Sequence, residues 1–427
     1  MKLEFGYGKG VQSLQIEDAL IIRELHANPM NHERRGAQAV QFALEDPIGL
    51  PGLSELVHPG MKVAIVTSDI SRPLPSFDVL PSVLNELNRG GVPDDDITVV
   101  FALGSHRSHT EEERKKLAGE EAYRRVRCED SKDSGFVHLG VTAHGTPVDI
   151  SRRVAEADFR ICLGNIEFHY FAGYSGGYKA IMPGCSTYDA IQANHTMMTE
   201  TAAHAGKLEG NPVREDIEEA GQICGVDYIV NCVLDEHKKI VYAVAGDPVK
   251  AHRTGCRYLD QMYRCEIPEK ADIVIVSQGG APKDANLYQV QKALDNAKHA
   301  VREGGIIILV GECPEGFGSA IFEEWLKKAE SPADLVDRIR KEFRLGGHKA
   351  AAVGMVEELA DVYLVSSLPD EVVKDIFMTP FASVKEAYEA AQKKYAGKGT
   401  VISMPFGGAT LPVLGKTENP SMQEIRK

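Results

Sequence analysis

The sequence has 427 residues, of which 43% are hydrophobic and 26% are charged, as in a globular protein of two or three domains. No apolar run reaches about 18 residues, and residues 1–10 lack a basic head before an apolar stretch. We therefore expect no membrane span, no secretory signal and a cytoplasmic location. The 62 acidic and 48 basic residues give a net charge of −14, so we expect no nucleic-acid partner. Without an apolar run of spanning length, we expect no membrane partner either.

The first part of the chain alternates apolar segments with amphipathic ones. Segments rich in β-branched residues predict strands over residues 62–67, 97–103 and 159–163. Helices are predicted between them, over residues 82–89 and 111–117. This alternation is typical of a mostly parallel sheet with helices on both faces.

The same pattern restarts after a polar, turn-like segment at residues 265–271. A helix is predicted over residues 289–300, with Gly304-Gly305 as its end. Further strands are predicted over residues 272–277, 306–310, 361–366 and 400–404.

We therefore predict an α/β protein with two α/β domains, each built on a mostly parallel sheet. The domains are predicted to span residues 1–265 and 266–427. Because a cleft between two such domains is a common ligand site, we expect the active site in the interdomain cleft.

The eight cysteines lie at positions 128, 162, 185, 224, 232, 256, 265 and 313, and no two of them form a Cys-x-x-Cys pair. Their spacing resembles neither a zinc ribbon nor a small disulfide scaffold. We expect reduced thiols, partly in the hydrophobic cores.

Ligands of such sheets bind at the carboxyl ends of the strands, and polar side chains follow the first two predicted strands. Asp69 and Arg72 follow the first, where Arg72 can grip a carboxylate or phosphate or form a local surface ion pair. His106 and His109 follow the second, just before a helix capping box at Thr110. Each histidine is a candidate general acid–base or metal ligand, and a solvated loop histidine is the alternative.

The loop after the third strand is rich in glycine. Gly173, Gly176 and Gly177 permit close backbone approach, as a phosphate cradle requires. The loop matches neither the Walker A motif nor the G-x-G-x-x-G fingerprint. A purely structural glycine loop is the alternative.

Lys179 closes this loop and can contact a phosphate or bond covalently to a cofactor. His169 lies ten residues before it and His195 lies sixteen after it. Three histidines and a lysine can therefore converge on one cleft.

The second half carries one further candidate. Asn286 opens a helix on which Tyr288, Gln289 and Lys292 share a face. This face is either solvated or a substrate-binding patch with an amide, a phenol and an ammonium group.

A set of motifs, in order along nearly the whole chain, resembles the nickel-pincer lactate racemase family. The motifs are Asp69-x-x-Arg72-Pro73, Gly104-Ser-His106-Arg107, His169, Ser175-Gly-Gly-Tyr-Lys179 with Pro183-Gly184, His195 and Tyr288-Gln289-x-x-Lys292.

The resemblance implies a cofactor, a pyridinium-3-thioamide-5-thiocarboxylic acid mononucleotide attached to Lys179. It implies nickel held by a ring carbon, two sulfurs and His195. The predicted cofactor-binding residues are Asp69, Lys179, Gly173, Ser175, Gly176 and Gly177. Residues 1–265 would then carry the cofactor and metal, and residues 266–427 would contribute substrate contacts.

The resemblance also implies a racemase or epimerase of 2-hydroxy acids that works by reversible hydride transfer, supplied with cofactor by accessory enzymes. His106 and His169 match the histidines that take and give the hydroxyl proton. Arg72 and Lys292 match residues that hold the substrate, and Tyr288 and Gln289 belong to the same substrate patch.

The residue types suit this chemistry. No side chain accepts a hydride, so inversion at C2 requires a cofactor. Histidine titrates in the range needed to exchange the hydroxyl proton, and a guanidinium can orient the carboxylate through two contacts.

One departure concerns the substrate. The family has a tryptophan near its second-domain site, whereas here the only tryptophan is Trp325, on a predicted helix, and residues 348–352 contain none. Gln289 is polar where a smaller residue would suit lactate. The substrate is thus lactate or a larger or more polar acid, such as a dicarboxylic or sugar acid.

Three alternatives stay open. His106, His109, His169 and His195 can build the divalent-metal site of a hydrolase or lyase. Lys179 can form the Schiff base of a pyridoxal phosphate enzyme. Finally, the chain can be a non-catalytic protein that only carries a metal or cofactor.

Overall fold

The computed structural model describes residues 1–415. Its strands are β1 (Lys2–Tyr7), β2 (Gly10–Gln15), β3 (Ile21–Glu24), β4 (Val63–Ser68), β5 (Ile97–Ala102), β6 (Arg127–Asp130), β7 (Phe136–Val141), β8 (Pro147–Ser151), β9 (Phe159–Ile166), β10 (Phe168–His169), β11 (Gly173–Tyr174), β12 (Tyr228–Leu234), β13 (Ile240–Gly246), β14 (Arg264–Ile267), β15 (Ala271–Ser277), β16 (Val301–Val310), β17 (Asp361–Val365), β18 (Thr379–Phe381), β19 (Val401–Met404) and β20 (Leu411–Leu414).

The α-helices are α1 (Gly36–Glu45), α2 (Leu53–Leu56), α3 (Ser76–Arg89), α4 (Glu111–Ala118), α5 (Glu120–Arg125), α6 (Arg152–Ala155), α7 (Tyr188–Thr196), α8 (Pro212–Cys224), α9 (Pro248–Tyr263), α10 (Leu287–Ala297), α11 (Ala320–Lys328), α12 (Pro332–Lys341), α13 (Gly347–Glu357), α14 (Asp370–Lys374) and α15 (Val384–Lys394). Within residues 1–415, no helix has the length and hydropathy to cross a bilayer.

The chain divides into two compact units. The central unit is Pro29–Met262, and the terminal unit is Met1–Asn28 together with the chain from Tyr263 onward. The predicted boundary at residue 265 falls inside β14, close to this division. The first 28 residues, predicted to belong to the N-terminal domain, instead lie in the terminal unit, because β3 pairs with β19 and the β1–β2 hairpin packs into that unit's core.

The central unit contains a six-stranded sheet in the order β13-β12-β9-β4-β5-β6. All pairs are parallel except β12–β13. The chain runs outward from β4 to one edge and from β9 to the other, so the direction of winding reverses between these two strands. In doubly wound sheets, the carboxyl ends of the two strands beside such a reversal form the crevice in which ligands bind.

The terminal unit contains a second six-stranded sheet, in the order β18-β17-β16-β15-β19-β3, and all of its pairs are parallel. Its central strands are buried, consistent with their continuous apolar sequences. Helix α10 follows β15 and begins at the carboxyl edge of this sheet.

The predicted strands correspond to β4, β5, β9, β15, β16, β17 and β19. The predicted fold class, α/β with mostly parallel sheets, is therefore confirmed. The capping box is also confirmed, because Thr110 and Glu113 exchange backbone-to-side-chain hydrogen bonds at the start of α4. None of the eight cysteines forms a disulfide, and seven are buried.

One predicted element is wrong. Helix α10 already ends at Ala297, and Gly304-Gly305 lies within β16. Gly304 has a φ of 68°, and the register with β15 shifts at this point, so the glycine forms a bulge in the strand. A glycine pair is compatible with either a helix end or a bulge.

Glu357, the last residue of α13, provides a test of the fold. Both of its carboxylate oxygens are buried without a hydrogen-bond partner among residues 1–415, and desolvation raises its pKa well above the usual range. A raised folded-state pKa means that stability falls as the pH rises above about 4.3, the ordinary glutamate pKa, towards the folded-state pKa.

We expect Glu357→Gln to stabilise the protein by about 1–3 kcal/mol at pH above the folded-state pKa and to have little effect near pH 4. Urea denaturation across this pH range measures the difference. The exposed neighbour Glu358 offers the matched control, Glu358→Gln. Equal changes in the free energy of unfolding for the two variants at every pH would contradict the raised pKa of Glu357.

Candidate active site

Four separate segments of the central unit meet around His169, which lies in the loop after β9. Burial lowers the pKa of His169 well below its usual range, and the charges of Lys179, Arg72, His195 and Arg214 lower it further. These residues come from the loops after β4 and β9 and from α7 and α8. The structure therefore brings together four of the predicted site residues at the winding reversal, with Arg214 as an addition that the sequence did not indicate.

Asp69 and His106 form a hydrogen-bonded pair. Asp69 is 3% exposed, and its Oδ2 lies 2.5 Å from His106 Nδ1. Ser71 Oγ donates to Asp69 Oδ1 and lies 3.1 Å from the same ring nitrogen. Burial opposes ionisation of Asp69, but the hydrogen bond and charge of His106, the hydrogen bond from Ser71 and the charge of Arg72 together outweigh it, so the pKa of Asp69 is lowered.

This pairing defines the protonation of the neutral His106 ring. Nδ1 faces two oxygen acceptors and carries the proton, which leaves the lone pair on Nε2. The ring is 32% exposed, so Nε2 is accessible to a ligand. A carboxylate behind a histidine orients the ring and stabilises the imidazolium that forms when the ring takes a proton. Asp69, predicted to bind the cofactor, here contacts His106 and Ser71.

His109 has a different environment. Its side chain is 1% exposed, and Nδ1 lies 2.7 Å from Asp130 Oδ1. Nε2 accepts the backbone N–H of Ile70 at 3.1 Å. Because both ring nitrogens are used inside the protein, His109 joins two loops and does not present a base to a ligand.

His169 accepts the backbone N–H of Ala172 at Nδ1, at 3.3 Å. In the neutral ring the proton therefore lies on Nε2. The ring stacks on Tyr170 at 5.3 Å and meets the edge of Phe171 at 4.5 Å between centroids. His169 thus presents a donor at Nε2 where His106 presents an acceptor.

Lys179 lies in a short 3₁₀ turn over Gly177–Ala180. Burial, then the charges of Arg214 and Arg72, lower the pKa of Lys179 well below its usual range. Its Nζ lies 5.7 Å from the centre of the Phe171 ring. An unprotonated amine is a nucleophile, so this environment fits a lysine that forms a covalent bond.

The structure explains the glycines of this loop by close packing. A Cβ on Gly173 would lie 1.9 Å from the carbonyl oxygen of Lys207, and one on Gly176 would lie 2.6 Å from Asn231 Oδ1. Gly173, Gly176 and Gly177 all have positive φ, between 59° and 78°. Contact of these buried glycines with a phosphate stays a prediction, since packing alone accounts for them.

Ser175 is also used within the loop. Its Oγ donates to the Asn165 carbonyl at 2.7 Å and accepts the Glu167 N–H at 2.8 Å. His252, which the sequence analysis missed, donates from Nε2 to the Ser175 carbonyl at 2.8 Å. Helix α9 gave no motif that could have identified this histidine.

His195 lies in the last turn of α7 and is 8% exposed. Its Nδ1 lies 2.9 Å from Asn194 Oδ1, and its ring meets the edge of Phe171 at 4.9 Å. Among residues 1–415, no group of three or more His, Cys, Asp and Glu side chains is arranged to hold a metal ion. A metal held by one histidine and an organic cofactor needs no such group.

The residues predicted to hold the substrate in the second half lie in the terminal unit. Asn286 caps α10, and Gln289 Oε1 accepts a hydrogen bond from Lys292 Nζ at 2.9 Å. Lys349, which the sequence analysis missed, is 6% exposed and lies 4.0 Å above the Tyr288 ring. Its Nζ donates to the Tyr288 carbonyl at 2.7 Å. Tyr288, a member of the predicted patch, therefore contacts a buried lysine on both its ring and its carbonyl oxygen.

Trp325 lies in a helix, α11, as predicted, and its side chain is fully buried. The guanidinium carbon of Arg338 lies 4.1 Å above its ring. Trp325 is therefore a core residue of the terminal unit.

Comparisons with known proteins give the class. The family model of the lactate racemase N-terminal domain matches residues 7–206, and that of the C-terminal domain matches residues 267–411. The lactate racemase of Thermoanaerobacterium thermosaccharolyticum is 32% identical over 417 residues, covering 95% of this chain and 97% of its own length. That of Lactiplantibacillus plantarum is 31% identical over 418 residues, with coverages of 95% and 98%.

The solved structure of the lactate racemase apoprotein from T. thermosaccharolyticum superposes with a TM-score of 0.86, at 32% identity, over 97% of this chain and 100% of that chain. The fold and these matches define a racemase, which is an isomerase. The chain belongs to the lactate racemase family.

The two loop histidines can be separated by experiment. We expect His109→Gln to destabilise the protein by about 1–3 kcal/mol, because it weakens the hydrogen bonding of the buried Asp130 carboxylate. We expect His106→Gln to leave stability nearly unchanged and to reduce racemisation by about 10²-fold or more. Urea denaturation and turnover at a temperature where both variants are folded measure these effects. A stable His109→Gln protein without turnover would show that His109 is needed for catalysis and not for stability, contrary to this assignment.

The environment of Lys179 predicts early acylation of this residue in the apoprotein. An ordinary lysine has a pKa of about 10.4 and is protonated at about pH 7, whereas the lowered pKa of Lys179 leaves more free amine there. We expect acetic anhydride, a small acylating reagent, to modify Lys179 before the exposed lysines, as measured by peptide mass spectrometry. The preference should shrink at about pH 10. Modification of Lys179 only after the exposed lysines would show that its amine is protonated or inaccessible.

Proposed function

We propose that this chain is a nickel-dependent 2-hydroxyacid racemase or epimerase. It acts on lactate or a larger or more polar 2-hydroxy acid by reversible hydride transfer to a nickel-pincer nucleotide, with histidines as general bases. The observation that carries the proposal is the convergence of Lys179, His169, His195 and Arg72 at the winding reversal of the central sheet. No single segment of the sequence holds this set.

The residues present fit the cofactor. Burial lowers the pKa of Lys179, which favours the amine form that a covalent attachment requires. His195, with Nδ1 on an amide oxygen, has Nε2 as the nitrogen that can bind nickel. When bound, the cofactor supplies the hydride acceptor that side chains lack. Asp69, Ser175 and the loop glycines remain predicted cofactor contacts.

Arg72 binds the substrate carboxylate. Its side chain is exposed, and its charge acts on both His169 and Lys179. A planar guanidinium makes two parallel hydrogen bonds to a carboxylate, which fixes the direction of the C2–H bond.

His106 takes the hydroxyl proton at Nε2, and Asp69 stabilises the resulting imidazolium. His169 faces the substrate with Nε2–H and serves first as a hydrogen-bond donor. To act as the base for the opposite enantiomer, His169 must have an unprotonated Nε2. Its Nδ1 must therefore lose the hydrogen bond from the Ala172 N–H and carry the proton instead. That bond is 3.3 Å long, beyond the usual range, so little is lost in breaking it.

Tyr288, Gln289 and Lys292 contribute further substrate contacts. The candidate substrates are lactate, a dicarboxylic 2-hydroxy acid and a sugar acid. The enzymes that make the cofactor are the proposed partners, and the cytoplasm is the proposed location.

The test uses protein from a host that contains the cofactor-making enzymes and nickel. We expect an intact-mass adduct of several hundred daltons that maps to Lys179, with stoichiometric nickel, and loss of the adduct in Lys179→Arg. Chiral chromatography of lactate, a dicarboxylic 2-hydroxy acid and a sugar acid then measures racemisation.

We expect His106→Ala and His169→Ala each to lower turnover by about 10²-fold or more while the adduct and nickel remain. An adduct without turnover on any acid would favour a carrier. An unmodified chain with zinc or iron would favour a metal hydrolase or lyase, and a borohydride-bleached yellow adduct would favour pyridoxal phosphate.

A further inference from the structure

A buried hydrogen-bond network adjoins His195 and includes residues that no motif singled out. Thr142 and Thr146 come from the β7–β8 turn, Asn194 from α7 and Asp216 from α8. Asn194, Thr146 and Asp216 are fully buried, and Thr142 is 5% exposed. Polar groups are retained in such a place only when their hydrogen bonds are made, so the direction of each bond can be worked out.

The direction of the Asn194 amide follows from its neighbours. Nδ2 lies 2.7 Å from Asp216 Oδ2 and 3.2 Å from the carbonyl oxygen of Val213. Both partners are acceptors, so the NH₂ group points towards them and Oδ1 points the other way. Oδ1 lies 2.9 Å from His195 Nδ1 and can only accept. His195 therefore carries its proton on Nδ1.

Asp216 holds this amide through hydrogen bonds from both threonines. Thr146 Oγ1 donates to Oδ2 at 2.8 Å. Thr142 Oγ1 accepts the Thr146 N–H at 3.1 Å, so its own proton is directed to Asp216 Oδ1. From the β7–β8 turn to the imidazole of His195, the donor and the acceptor of every hydrogen bond in this network are therefore defined.

We propose that Asn194, held by Asp216, is a positioning residue that keeps His195 in the tautomer with the proton on Nδ1. Neutral imidazole otherwise exchanges between two tautomers, and only the Nδ1–H form leaves the lone pair on Nε2. Binding of nickel at Nε2 rests on the proposed function. The tautomer itself is a property of the apoprotein.

The tautomer is measured on apoprotein labelled with ¹⁵N-histidine, by long-range ¹H–¹⁵N correlation, with the His195 signals assigned from their loss in His195→Gln. We expect a protonated Nδ1 and an unprotonated Nε2 in the wild-type protein. We expect Asn194→Leu to shift the population towards the Nε2–H form. Thr196→Val, on the same helix turn, is the matched control and should leave the tautomer unchanged.

A wild-type ring protonated on Nε2 would overturn the proposal, as would an unchanged tautomer in folded Asn194→Leu. If Asn194→Leu does not fold, Asp216→Asn tests the same network, because it replaces the carboxylate acceptor by an amide and should shift the tautomer in the same direction. A Nδ1–H tautomer that persists in Asp216→Asn would count against the proposed role of Asp216.

Nickel retention gives the second readout. In loaded protein dialysed against a chelator, we expect Asn194→Leu to lose nickel about 10–100-fold faster than wild type while the adduct on Lys179 stays. Equal rates of nickel loss from Asn194→Leu and wild type would overturn the proposed role of Asn194 in nickel binding. If the wild-type protein acquires neither adduct nor nickel, the proposed function fails, and the tautomer measurement still decides the role of Asn194.

Discussion

The buried guanidinium of Arg214 is the interaction on which the candidate site depends most. Arg214 is 1% exposed, and it donates to the carbonyl oxygens of Ala172 and Tyr174 in the segment that joins His169 to Lys179. Desolvation lowers its pKa to about 10, so the group stays charged at neutral pH. Glu218, 4.0 Å away, shares its carboxylate with Arg253. A positive charge is therefore built into the wall of the site.

This charge acts on the other cationic groups of the site. Burial is the largest cause of the lowered pKa values of Lys179 and His169, and the charge of Arg214 adds to it, because a second positive charge close to a first is unfavourable. The lowered pKa values favour the unprotonated forms of Lys179 and His169, which lie close to the guanidinium of Arg72. Such a site favours anions, and both a 2-hydroxy carboxylate and a mononucleotide phosphate are anions. Asp69 is the acidic counterpart in the same crevice, and its charge is directed to His106.

Local signals were sufficient to predict much of the fold. The β-branched runs and the Thr110 capping box depend on neighbouring residues, and the strands and the helix start were found where they were predicted. The choice of His106 over His109 rested on the Gly104-Ser-His106-Arg107 motif alone, because the environments that distinguish the two histidines depend on Asp69 and Asp130, which are distant in sequence.

The glycine-rich loop shows a different limit. Its composition predicted a phosphate cradle, which stays a prediction, and gave no hint of the packing of Gly176 against Asn231, a polar residue in the otherwise apolar strand β12. A buried polar residue in such a strand is a signal that could have been used. Arg214, His252 and Lys349 lie on helices with ordinary patterns, so only tertiary contacts identify them.

The division of the chain into units has a consequence for biosynthesis. Strand β3 pairs with β19, so Ile21 and Val401 are neighbours in one sheet although nearly the whole chain lies between them. The central unit is thus an insertion between two parts of the terminal unit. During translation its sheet can form as soon as β13 emerges from the ribosome, while the sheet of the terminal unit must wait for β19. Strand β3 therefore spends most of synthesis without its partner strand, β19.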